Sequence, residues 1–195
     1  MLATLVFLSG CSLHNSTPGA CRLASRAQEP ASRFVLSSRV HYLQGDRRWA
    51  AEPIGGSGKP LGAVGCTVCC LSMALDQHGI ERTPLELNRA LKAADGYSHK
   101  GWVQWSALGQ VTGGRAHAEI LRKPTLRDIE RALAAGNPVL VKVAPPGMIQ
   151  HWVLLVGRDR WEFLMKDPLD RTMRTMPLSS LASDILAVRV VKRGQ

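Results

Sequence analysis

The sequence has no basic run flanked by stacking aromatics, although its formal net charge is +10. Its Lys and Arg are scattered, which argues against nucleic acid as a partner. It has no phosphate loop, because in Gly55-Gly56-Ser57-Gly58-Lys59-Pro60 a proline follows the lysine. No second C-x-x-C and no paired histidines accompany Cys66 and Cys69, so a zinc site would lack two ligands. No metal or cofactor is expected. The cysteine count is odd, at five, and three of them crowd into Cys66, Cys69 and Cys70. That is not a disulfide framework. There are no internal repeats. Met1–Gly10 is apolar but too short to span a membrane as a mature helix. What remains is a chain of 195 residues, enough for one domain with a real core.

The stretch Leu61–Ile80 organises the rest. It starts as a Gly-rich turn and becomes an apolar helix at Cys66, with Gly79 as a natural stop. Free N–H groups and the positive end of the macrodipole favour thiolate over thiol in a first helical turn. A buried helix presenting one cysteine at its N-terminus resembles the nucleophile helix of papain-type enzymes. The other reading is a core helix containing small apolar cysteines. Cys69 and Cys70 fit buried packing, and C-x-x-C leaves a redox reading open.

Along the chain, Val40–Gln44 reads as a short strand. Thr83-Pro84 caps and starts a helix that Gly96 ends. Trp102–Val111 reads as a third helix, with Trp102 and Trp105 as core or groove wall. Ala118–Leu121 is a strand, and Thr125 begins a helix ending at Gly136. Val139–Val143, His151–Val156 and Trp161–Lys166 are strands, with Thr172–Met176 and Leu186–Val191 as two more. The front half is mostly helical and the back half mostly antiparallel strand, an α+β arrangement.

A thiol nucleophile needs a base, and the base needs an orienting group. Among the histidines, His151 sits where a turn enters the apolar strand H-W-V-L-L-V-G. Asp167 ends the next strand, W-E-F-L-M-K-D-P. A hairpin between these strands brings the start of the first near the end of the second, making His151 and Asp167 neighbours. Each has a plainer reading, a strand-end histidine and a turn aspartate before Pro168. Gln44, upstream of Cys66, is a side-chain amide of the kind that completes an oxyanion hole with the cysteine's own N–H.

The order Gln, Cys, His, Asp and the segments around it resemble a known family. Q-G-D-x-x-W, V-G-C-T-V-C-C-L-S-M-A-L-x-x-x-G-I-x-x-T-P-x-E-L-N, H-W-V-L-L-V-G and K-D-P are similar to papain-like peptidases of the bacteriocin-processing, double-glycine-leader type, in a stand-alone bacterial form (family 39-like). The likeness covers about Arg39 to Val191. It implies the papain-like fold, with Cys66 as nucleophile, His151 as base, Asp167 as orienter and Gln44 as oxyanion donor. The implied reaction is hydrolysis of a peptide or amide substrate. Acyl transfer to another amine, or peptide binding without cleavage, are the alternatives.

Leu8-Ser9-Gly10-Cys11 resembles the bacterial lipobox, in which the cysteine becomes the lipidated N-terminus. The expectation is a signal over 1–11, a flexible tether over 12–38, and a peptidase domain over 39–195. Anchoring through Cys11 would place the protein at the cell envelope, or it is secreted. Cys21, in the tether, receives no role.

Overall fold

The computed structural model describes residues 33–37, 39–148 and 150–194. In chain order its elements are β1 (Phe34–Val35), α1 (Leu61–Val64), α2 (Cys66–Gln77), α3 (Pro84–Ala93), α4 (Ala107–Val111), β2 (Ala116–Leu121), α5 (Leu126–Ala134), β3 (Val139–Val143), β4 (His151–Asp159), β5 (Glu162–Lys166), β6 (Met176–Pro177) and β7 (Ala187–Arg193). A short 3₁₀ turn at Leu178–Leu181 separates β6 from β7. The strands form one sheet in the order β2-β7-β3-β4-β5-β6, with β1 added to β4. Every pairing is antiparallel. This is the α+β arrangement expected.

The sheet is covered on both faces, which explains why β3 and β4 read as apolar runs rather than as alternating strands. Leu140, Leu154 and Val156 pack with Val68, Leu71 and Leu75 of α2. Val139, Val141, Val153 and Leu155 pack with Ile129 and Leu133 of α5 on the other face. The register agrees, with Leu140 opposite Leu154 and Val139 opposite Leu155.

The helices are held in two ways. α3 and α5 each begin with a capping box, Thr83 with Glu86 and Thr125 with Asp128. Such caps are worth about 1 kcal/mol. α2 has no side-chain cap, but eight of its twelve residues are buried. At about 1.5–3 kcal/mol for each large apolar side chain, Val68, Leu71, Met73 and Leu75 outweigh any cap. α2 is therefore placed by tertiary packing. It ends at Gln77, and the chain turns away after His78 at Gly79, whose φ is +73°.

Several expectations change. The turn before Cys66 is itself a helical turn, α1. Val40–Gln44 is irregular, because its polar groups bond to the loop after β5 instead of to a neighbouring strand. Only Ala107–Val111 of the third helix forms. Ahead of it, Val103 bridges Tyr97, and the Gln104 amide donates to the carbonyls of Asp95 and Tyr97 at 3.0 Å. Of the strand expected at Thr172–Met176 only Met176 is in β6, since Asp170 collects the N–H groups of Thr172 and Arg174 into a turn. The sheet also takes in Phe34 and Val35, ahead of the Arg39 boundary. Cys11, Cys21, the signal over 1–11 and most of the tether lie outside the described residues.

Gly65 joins α1 to α2, and a Cβ there would run into the Leu61 side chain and carbonyl. Gly65→Ala is expected to destabilise the fold by about 1–3 kcal/mol through overpacking, read as a lower urea midpoint. An unchanged midpoint would mean that the junction has room to relax.

Candidate active site

Cys66 is the first residue of α2 and is half-buried. The step that puts it there is short. The Gly65 N–H closes the α1 turn on Leu61 at 2.7 Å, and the Gly65 carbonyl accepts the Cys69 N–H at 3.0 Å. The thiol thus stands at the positive end of a twelve-residue helix. Cys69 and Cys70 lie one turn further in and are fully buried. Burial pushes both thiols well above their ordinary range. The Cys70 thiol donates to the Trp152 carbonyl at 3.3 Å.

The β4–β5 hairpin does what the strand order predicts. Leu154 lies opposite Lys166, so the start of β4 comes beside the end of β5. His151 Nε2 and Asp167 Oδ1 are 2.7 Å apart, with the residues 2 % and 6 % exposed. A carboxylate accepts, so Nε2 carries the proton and Nδ1 is the nitrogen left for the groove that Cys66 also lines. Burial works against a charged imidazole. The hydrogen bonds to Asp167 and Cys66, with the negative charge of both, outweigh it and raise the ring from 6.5 to about 9.

Asp167 is fixed from several sides. Its Oδ1 accepts the Leu169 N–H at 2.8 Å, and its carbonyl accepts from His41 Nε2 at 2.8 Å. Lys166 Nζ donates to the Val40 carbonyl at 2.7 Å, and the Gln44 N–H donates to Pro168 at 3.0 Å. The irregular segment 40–44 is therefore stitched along the loop that carries Asp167. The same segment delivers Gln44 to the site. The Gln44 amide gives one hydrogen to the Gly62 carbonyl at 3.0 Å, and its Oε1 is buried with no partner.

Gln44, Cys66 and His151 open into one groove of about 650 Å³. Trp102, Trp105 and Trp152 form part of its walls, and Arg189 lies against the Trp105 and Trp152 rings. Cys66, His151, Asp167 and Gln44 are thus brought together. His78 is not: it bonds the Val191 carbonyl at 2.9 Å. The sequence reading gave His41 and Arg189 no role. Their partners lie far away in the chain and no local pattern marks them; only the nearness of His41 to Gln44 was a signal.

Residues 46–185 match the family model described as Peptidase_C39 like family. Among solved structures, the crystal structure of a C39-like peptidase candidate from Bacillus anthracis is similar at 17 % identity and a TM-score of 0.49, covering 85 % of this chain and 100 % of that one. No curated protein matches.

His151 generates a pH dependence of stability. A group protonated in the folded but not in the unfolded state makes stability fall as pH rises. His151 has that status between pH 6.5 and about 9. Its contribution is complete below 6.5 and lost as pH passes about 9. Thermal denaturation should therefore show the advantage of wild type over Asp167→Asn fading across that window. A difference that does not vary with pH would contradict the raised imidazole.

Proposed function

We propose, from the premise that the chain belongs to the Peptidase_C39 like family, that it is a cysteine peptidase working through Cys66, His151 and Asp167. The observation that carries this reading is the buried His151, held by Asp167 at 2.7 Å in the groove that also holds the Cys66 thiol at a helix N-terminus. That arrangement favours a protonated imidazole in the groove of the sulfur.

In the proposed reaction the Cys66 thiolate attacks the carbonyl carbon of a peptide bond. The carbonyl oxygen becomes an oxyanion, met by the Cys66 backbone N–H and the remaining amide hydrogen of Gln44. His151 Nδ1–H then passes its proton to the departing nitrogen, the C–N bond breaks, and an acyl thioester remains on Cys66. A water enters, gives a proton to His151 and adds to the thioester. Collapse releases the acid and restores the thiolate. Asp167 keeps Nε2 protonated throughout, so that Nδ1 always faces the sulfur. His41, Lys166 and the 40–44 segment act one step back, by holding Asp167 and Gln44 in register. The lipobox-like Leu8–Cys11 supports the further proposal that the domain works at the cell envelope on a lipid anchor.

The alkylation rate of each cysteine by iodoacetamide across pH tests the ion pair. Cys66 is expected to react well below the pH at which a free thiol does, with Cys69 and Cys70 inert as internal controls. His151→Ala should remove that advantage; equal profiles in both proteins would sink the peptidase reading. For any peptide the wild type cleaves, Gln44→Ala should lower kcat by about 10²–10³ while leaving Cys66 alkylation in place.

A further inference from the structure

The groove beside Cys66 is lined by Lys59, Lys100, Lys142 and Arg189, and by no carboxylate among the described residues. A chain with 25 Lys and Arg against 15 Asp and Glu would scatter some cations there, so the exposed Lys59 and Lys100 carry little weight. Lys142 and Arg189 are different. They sit within adjacent strands, β3 and β7, and both are half-buried. Lys142 lies opposite Ala187 and Leu140 opposite Arg189, so the two cations are diagonal neighbours on the face that receives α2.

Neither cation has an ion pair among the described residues, whereas the buried Arg158 has Glu130 and Lys192 has Glu119 at 2.6 Å. The Arg189 guanidinium is held 5.1 Å from the Trp105 ring centre and 5.6 Å from that of Trp152. One of its terminal nitrogens donates to the Val188 carbonyl at 2.8 Å, but Nε is buried with no acceptor. Burial alone acts on its proton affinity, and lowers it. A partly desolvated cation with no counter-charge is a cost that an incoming anion reduces. The rings already hold the guanidinium plane, so little further ordering is needed to accept a carboxylate in its fork.

We propose that Lys142 and Arg189 form a carboxylate subsite of the groove, so that the protein takes peptides with an acidic group near the reacting bond. This rests on the reading of Cys66 as nucleophile. Lys142 and Arg189 line the same groove as Cys66 and His151, which sets the carboxylate within a bound peptide's reach of the reacting carbonyl. The carboxylate comes either from an Asp or Glu side chain or from the C-terminus of the peptide.

The test uses the full chain carrying Cys66→Ala, which binds without turnover. Three N-acetyl alanine hexapeptides are titrated: one with a central Glu and an amidated end, its Gln counterpart, and the Gln peptide with a free C-terminal acid. The Arg189 Nε–H and the Trp105 and Trp152 indole N–H resonances report binding. One acidic peptide is expected to bind about tenfold more tightly than the amidated Gln peptide. If the Glu peptide leads, the group read is a side chain; if the free acid leads, it is a terminus. Lys142→Gln and Arg189→Gln should each cut the advantage to about threefold or less. Lys142→Gln is the milder change, and amide dispersion confirms its fold. Equal binding of the three peptides, no saturable shift, or an advantage that survives both substitutions would overturn the subsite. Iodoacetamide alkylation of wild-type Cys66 separates the two ideas. An ordinary thiol there with the acid preference intact overturns the nucleophile alone; a reactive thiol without the preference overturns the subsite alone.

Discussion

The packing of α2 against the inner face of the sheet is the constraint on which the rest depends. Val68, Leu71 and Leu75 meet Leu140, Leu154 and Val156, and this contact sets how far along the strands the helix slides. Interiors packed to crystalline density leave little freedom in that position. Because Cys66 starts the helix and His151 starts the strand, one apolar interface places a thiol and an imidazole together. The polar groups make no such placement by themselves. They are satisfied by it.

The second joint is made of hydrogen bonds. The segment 40–44 runs along residues 166–168, the end of β5 and the turn after it, joined through Lys166 to Val40, Asp167 to His41 and Pro168 to Gln44. One strip of backbone therefore supports the carboxylate that holds His151 and also carries Gln44 to the groove of Cys66. A carbonyl can only accept, so His41 gives its Nε2 proton to Asp167, and its buried Nδ1 is left without a partner.

Three cysteines on one helix have different fates because of depth alone. Cys66 stands at the helix end in the groove, while Cys69 and Cys70 are sealed in the core, where charge on sulfur is penalised. Exposure is thus confined to one of these three sulfurs by the helix's own geometry. The groove around it is cationic and aromatic, and its walls include the segment before α4 and three separate strands, β3, β4 and β7.

Much of this was legible in the residues. The apolar runs at 139–143 and 151–156, the Thr83 and Thr125 caps and the Gly79 stop are local signals, and each element formed where its pattern lies. Hairpin register alone paired His151 with Asp167, since antiparallel neighbours must bring one strand's start to the other's end. What the residues could not express was everything that depends on surfaces meeting at long range. Val40–Gln44 has the composition of a strand, but lost its ladder to a side-chain clasp. Trp102–Ser106 has helical spacing, but spent its backbone and the Gln104 amide on the turn around Tyr97. The sequence by itself determined the helices that start at Cys66, Thr83 and Thr125, the strands β3, β4 and β5, and which thiol begins a helix, because those follow from periodicity and from end effects within a few residues. Only the tertiary structure decided that Arg189 would lie on two tryptophans beside Lys142 with no acid between them, because that follows from how separate strands and loops close on one another.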